Sequence, residues 1–256
     1  MADVNDRLEA SIRITEDAAT VAMSHFRSPL EIETKSDESP VTAADKATEQ
    51  AIRDGIAHHF QGEAIFGEEF GMTGDGDDCW IVDPIDGTRS FIAGYPMFGM
   101  LLGYLSGGAA QLGVIRMPAL AEVYAGAIGH GASCNGQPIH VSDCDALDTA
   151  RLFINEADKL AAQEAQAFGR LTHAGQLRRM GADCYPHALV AAGYADAVVD
   201  FDLQPYDYLP VSAVVRSAGG VMTDWQGNAL TMASDGRVVS AATPALHAEL
   251  LALLNP

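Results

Sequence analysis

Trp80-Ile81-Val82-Asp83-Pro84-Ile85-Asp86-Gly87-Thr88 is the stretch around which this chain of 256 residues is organised. Trp80 to Val82 reads as a short buried strand, and Pro84, with no backbone donor and a fixed φ, predicts its end. Asp83 and Asp86 flank the break, Gly87 permits a backbone turn that other residues resist, and Thr88 adds a hydroxyl beside the acids. A loop at a strand end is where a rigid scaffold often presents reactive groups. Asp, Pro and Gly are also common turn formers, so the stretch alone leaves a plain turn equally open.

Two aspartates three apart at a strand terminus can face one point, where they repel unless something positive lies between them. A hard divalent cation answers that repulsion, and Mg²⁺ takes oxygen ligands while keeping waters for a substrate phosphate. Composition is compatible with this. The net charge is −20 and the pI about 4.5, which opposes nucleic acid and anionic membranes as partners. A phosphorylated substrate would be repelled too, unless metal ions intervene. Hydrophobic residues make up 48% of the chain, enough for a sizeable core.

Cys79, Cys134, Cys144 and Cys184 form no C-x-x-C pair, which argues against structural zinc or a disulfide framework. The N-terminus, with Asp3, Asp6, Arg7 and Glu9, lacks the pattern of a signal peptide, and no apolar run approaches the ~20 residues of a membrane span. A soluble, cytoplasmic protein is expected.

Outward from the central stretch, Val4, Leu8, Ile12, Thr15, Ala19, Ala22 or Met23 and Phe26 recur at helical spacing and predict a long first helix limited by Pro29. A polar stretch from Glu31 to Ser39 follows. A second helix carries Ala47, Ala51, Ile52, Ile56 and Phe60 inward, with Asp45 in its first turn, where a carboxylate suits the helix dipole. Ala64 to Phe66 is a short strand ending in Gly67-Glu68-Glu69, and Asp75-Gly76-Asp77-Asp78 reads as an exposed linker. Phe98 to Val114 is a hairpin turning at Gly107-Gly108, and Asn135-Gly136 is a second turn signal.

Residues 1–145 thus read as two helices followed by an antiparallel sheet. From 146 to 256 the texture alternates. Strands are predicted at Leu152 to Ile154, Leu177 to Met180, Ala197 to Val199, Val221 to Asp224 and Val238 to Ala241. Helices are predicted over Glu156 to Phe168, Asp183 to Ala192, Asp207 to Ser217 and Pro244 to Leu254. No linker separates the halves, and a single compact α/β (α+β layered) unit is expected. In Gln204-Pro205-Tyr206-Asp207, Asp207 is a helix cap or first-turn residue, or a carboxylate pointed at a ligand.

Gly67-Glu68-Glu69, Asp83-Pro84-Ile85-Asp86-Gly87-Thr88, and Asp207 followed by Ala218-Gly219-Gly220 together resemble the inositol monophosphatase family. The resemblance runs nearly end to end, through Lys35, Val41-Thr42-Ala43-Ala44-Asp45, and Gly131-Ala132 to Asn135-Gly136-Gln137-Pro138-Ile139. It implies an αβαβα sandwich, a metal-dependent phosphomonoesterase and a homodimer. Carried over by residue, it makes Glu68, Asp83, the Ile85 carbonyl, Asp86 and Asp207 the Mg²⁺ ligands, with Glu69 supporting. It gives Glu68 and the pair Thr88 and Asp45 the task of activating the attacking water, and places the phosphate at the Gly87-Thr88 backbone, against Ile85, Asp86 and Asp207.

Gly87-Thr88-Arg89-Ser90-Phe91-Ile92-Ala93-Gly94, Gly181-Ala182-Asp183-Cys184-Tyr185 and Pro205-Tyr206-Asp207 are most similar to the histidinol-phosphate phosphatases of that family. An ammonium-bearing substrate such as L-histidinol phosphate, in histidine biosynthesis, would pair with an acidic wall of Asp183 and Asp200, whereas a polyol asks for neutral partners. Asp183 as a helix cap, and Arg89 as either a substrate contact or a partner of a nearby acid, stay open. The rival expectations are an inositol-1-monophosphatase or broad-specificity member and a non-catalytic binding protein. A phosphatase for adenosine bisphosphates fits less well, for want of basic and aromatic material.

Overall fold

A computed structural model describes residues 3–29, 32–34 and 40–256. Lys35 and the Glu31 to Ser39 stretch, apart from its strand segment, lie outside the described residues. Helix α1 (Val4–His25) starts at Asp3, whose side chain accepts from Val4 N at 2.7 Å. A short ribbon, β1 (Ile32–Thr34) with β2 (Pro40–Thr42), leads into α2 (Ala43–His59). The buried stripe of α1 is Arg7, Ala10, Ser11, Ile14, Thr15, Ala18 and Ala22, rotated from the apolar face expected. Arg7 causes part of that shift. Its guanidinium bonds Glu63 at 2.6 and 2.8 Å and lies over the rings of Phe60, Trp80 and Tyr104, so a charged residue occupies the core face.

Strands β3 (Ala64–Gly67), β4 (Gly71–Thr73), β5 (Cys79–Asp86), β6 (Gly99–Ser106), β7 (Ala109–Met117), β8 (Glu122–Ala127), β9 (Gly131–Cys134) and β10 (Gln137–Ile139) build one sheet in the order β10-β9-β8-β7-β6-β5-β3-β4. The sheet is not purely antiparallel as expected, because β3 runs parallel to β5. A short helix, α3 (Thr88–Ile92), follows β5. The second sheet joins β11 (Arg151–Ile154), β12 (Leu177–Met180), β13 (Ala197–Asp200), β14 (Val221–Asp224) and β15 (Val238–Ala241) in the order β12-β11-β13-β15-β14, with β11 parallel to both β12 and β13. Helices α4 (Ala157–Gln163), α5 (Ala165–Leu171), α6 (Tyr185–Ala191), α7 (Pro205–Ser217) and α8 (Pro244–Leu254) complete the chain. The helix expected over Glu156 to Phe168 is two, breaking at Glu164, which leaves helical geometry and pairs with Arg237 at 2.7 Å.

Three cores fill the boundaries of five layers, the middle core lying on both sides of α6 and α7. Ala10, Ile14, Ile52 and Ile56 of α1 and α2 pack on Trp80, Val82, Met100 and Leu102 of the first sheet. Ala188, Val190, Leu209, Val211 and Val215 of α6 and α7 lie between the sheets, against Ile81, Leu101, Ile115 and Val198. The outer face of the second sheet packs Leu152, Ile154 and Val199 on Leu160, Leu171, Leu246 and Leu250. The molecule is a mixed α/β layered fold, an αβαβα sandwich. Helix α7 comes close to the first sheet over Gly103 and Gly113, where an added Cβ would meet Pro210; at Gly113 it would fall on the Pro210 carbonyl. Only a glycine at that position admits the helix at this depth.

Candidate active site

Strand β5 does not stop at Pro84. It continues to Asp86, and its ladder with β6 slips between Asp83, opposite Leu101, and Asp86, opposite Gly99. In a regular strand, residues three apart point to opposite faces. The irregularity inserts an extra residue, tolerates a proline without a donor, and turns both carboxylates to one side. Asp83 Oδ1 accepts from Ile85 N at 3.0 Å, which fixes the kink. Gly87 follows with φ of 85°, the left-handed region that favours glycine, and opens α3.

Asp207 arrives from the other side of the interface. It is the third residue of α7, not its cap, and its Oδ2 accepts from Gln204 N at 2.7 Å. Carboxylate oxygens of Asp83, Asp86 and Asp207 lie within 4.8 Å of one another. Burial, then the charges of Glu68, Asp86 and Asp207, push Asp83 well up; burial and Asp86 do the same to Asp207. Three carboxylates held this close, Asp83 buried and Asp86 and Asp207 half-buried, with a fourth at Glu68 on the cleft wall, are an all-oxygen donor set suited to a hard cation.

Asp45 is fully buried at the start of α2. Its Oδ2 accepts from Thr42 N at 2.8 Å and Thr42 Oγ1 at 2.7 Å, leaving Oδ1 for the Thr88 hydroxyl at 3.2 Å. Thr88 Oγ1 is also 3.2 Å from the Ile85 carbonyl. Glu68 stands just beyond β3, its backbone N–H bonded to Val82 O at 3.1 Å. Glu69 is not on the cleft wall; its N–H donates to Glu49 Oε2 at 2.7 Å.

The cleft has a volume of about 670 Å³. Its far wall comes from the ends of β11, β12 and β13, and ligands in open α/β sheets collect beyond such carboxyl ends. Asp183 is no helix cap. At φ 49° it lies before α6, with its carboxyl against Gly87 and Oδ2 accepting from Ser90 Oγ at 2.8 Å. Burial and the charge of Asp86 push it up to about 7. Asp200 also borders the cleft, but both its oxygens are engaged: Oδ2 with Asn155 Nδ2 (2.7 Å) and His187 Nε2 (3.0 Å), Oδ1 with Phe201 N (2.9 Å). Arg89 is exposed on the rim, 3.9 Å from Glu156 Oε2.

Several contributors escaped sequence reading. Glu49 is fully buried, bonds Arg53 Nε at 2.8 Å and receives the Glu69 and Phe70 amides, so it holds the turn that presents Glu68. Its place one helical turn after Asp45 was the available signal. Asn155, Glu156, Lys159, His187 and Asp202 also line the cleft. Asn155 and Glu156 follow the predicted Leu152 to Ile154 strand, which marks them in retrospect.

Residues 3–256, which carry this cleft, match the inositol monophosphatase family, a family of phosphatases. The chain belongs to that family. A histidinol-phosphatase of Chlorobaculum parvum is 36% identical over 97% of this chain and 96% of its own. A fructose-1,6-bisphosphatase/inositol-1-monophosphatase of Thermotoga maritima is 31% identical over 98% of this chain and 96% of its own. The structure of an inositol monophosphatase from Zymomonas mobilis superposes with a TM-score of 0.89 at 34% identity, covering 100% of both chains.

Proposed function

We propose that this chain is a Mg²⁺-dependent phosphomonoesterase acting on L-histidinol phosphate, with release of L-histidinol and phosphate. The observation that carries the substrate is the carboxyl of Asp183, seated against Gly87 beside the acidic cluster. It stands where the leaving group of a phosphate held at Gly87-Thr88 would lie, and a carboxyl there suits an ammonium better than a hydroxyl. The histidinol-phosphatase relatives support the same choice.

Glu68, Asp83, the Ile85 carbonyl, Asp86 and Asp207 would hold the metal. When bound, Mg²⁺ supplies charge to the phosphoryl oxygens and makes an attacking water more acidic. The chain's own residues do the rest. Thr88, by donating to Asp45 Oδ1, turns its oxygen lone pairs outward to accept a hydrogen bond from water, and as the water's proton moves onto Thr88 Oγ1 the hydroxyl's own proton would pass to the Asp45 carboxylate. Thr42 holds the other oxygen of Asp45, so this carboxylate cannot swing away.

The test is phosphate release, with and without Mg²⁺, from L-histidinol phosphate and inositol-1-phosphate side by side. A higher kcat/KM for histidinol phosphate is expected. Equal or reversed preference would sink the substrate and favour the inositol phosphatase reading, which the Thermotoga relative supports. No release from either, by folded and Mg²⁺-loaded protein, would favour a non-catalytic binder. The proposal includes a homodimer, tested by light scattering for twice 27.0 kDa. Among the described residues no helix is long and apolar enough to cross a membrane.

A further inference from the structure

Asn155 directly follows β11 and is 2% exposed. Its Nδ2 donates to the Asp183 main-chain carbonyl at 2.8 Å and to Asp200 Oδ2 at 2.7 Å. Both partners accept only, so the orientation of the amide is determined: nitrogen faces them and oxygen faces away. Oδ1 has no hydrogen-bond partner among the described residues, and the side chain borders the cleft. A buried carbonyl oxygen without a donor is costly, and buried polar groups in folded proteins are nearly always satisfied. The other atoms in this condition differ. Thr48 Oγ1 and Ser217 Oγ are not on the cleft wall, and Glu156 Oε2 lies 2.8 Å from Lys159 Nζ.

The donors around Asn155 are already committed. Ser90 Oγ goes to Asp183 Oδ2, Phe201 N goes to Asp200 Oδ1, and His187 has its ring nitrogens on Asp200 and Ser240. The wall made by Asn155 and Asp183 therefore offers a ligand acceptors. An amine is well served by such a wall.

We propose that Asn155 is a specificity-determining residue whose Oδ1 accepts from an ammonium N–H on the leaving group of the phosphate ester. Asp200 is then a positioning residue: it fixes the Asn155 amide from behind and does not touch substrate. The proposal rests on the phosphomonoesterase reading above.

The test uses the Mg²⁺-loaded full chain and two esters, L-histidinol phosphate and its desamino analogue. Wild-type protein should prefer the amine in kcat/KM, and Asn155→Leu should cut that preference about 10-fold or more, mainly through KM. Asn155→Ala, which withdraws the acceptor with less bulk, carries the same test should the leucine variant not fold. Equal efficiency on both esters in wild type would overturn the Asn155 assignment and leave the phosphatase standing. So would a variant in which the preference is unchanged or both esters slow in step, since a merely structural role predicts that. Absence of release from either ester in wild type would remove the underlying reading, and this one with it.

Discussion

Burial pushes Asp86 up to about 6 from an ordinary 3.8, against the pull of the Cys184 backbone N–H, which donates to its Oδ2 at 2.6 Å. An acid raised on folding favours the folded state most where both states are protonated, below the unfolded value, and that advantage is lost as pH rises through the folded one. Metal-free protein should therefore lose Tm between about pH 4 and pH 6, the window set by that shift. Asp86→Asn should reduce the slope in a calorimetric pH series while lowering Mg²⁺-dependent phosphate release at least about 100-fold. A variant that keeps turnover would refute the ligand role given to Asp86. Gly87 is the neighbouring case. At φ 85°, Gly87→Ala costs about 1–2 kcal/mol in backbone alone and forces the new methyl onto Asp183, so kcat/KM should fall with the acidic wall displaced. Both residues were singled out in the sequence, by the Asp-Pro-Ile-Asp-Gly-Thr run taken together with the family resemblance and not by the run alone. What the chain could not reveal was the slipped ladder that makes Asp83 and Asp86 converge, since a strand end and a strand irregularity share the same turn-forming residues.

Helix α2 was read from its alanines and isoleucines, yet it also buries Asp45, Glu49 and Arg53. Charges at helical spacing resemble a solvated face until their partners are known, and the partners here, Thr88, Glu69, Phe70, Gly71 and Thr73, come from elsewhere in the chain. Glu49→Gln should destabilise the protein by ~3 kcal/mol in urea unfolding, because it removes one charge of a buried pair and leaves Arg53 behind. It should also weaken Mg²⁺ binding, as the Gly67-Glu68-Glu69 turn loses its anchor. An isolated stability change would mean that Glu68 needs no such support. Helix α7 has the complementary dependence on small residues. Gly113→Ala must push Pro210 away from the sheet, with an expected loss of ~1–3 kcal/mol and a raised Mg²⁺ requirement as Asp207 shifts. Crystallography of that variant would check the displacement directly.

Across the whole molecule, the alternation of strands and helices after residue 146 and the helix pair before it match the observed elements apart from the break between α4 and α5, whereas β1, β2, β4 and α3 were not foreseen. The order of strands in each sheet, and the parallel pairing of β3 with β5, depend on contacts far apart in sequence that no local pattern encodes. The middle core mixes Ile81, Leu101 and Ile115 with Val198, Leu209 and Val215. We propose that the two halves melt as one unit; two resolved calorimetric transitions would contradict this. Mg²⁺ should raise the midpoint further, because the carboxylates it would join come from β5 and α7, and EDTA should reverse that rise. The separation of labour between strands has an evolutionary consequence. The cluster of Asp83, Asp86 and Asp207 belongs to β5 and α7, while the opposite wall of the cleft is written in the turns after β11, β12 and β13. Those turns can be redrafted, in a descendant gene or at a laboratory bench, to accept a new ester while the hydrolytic machinery is inherited intact.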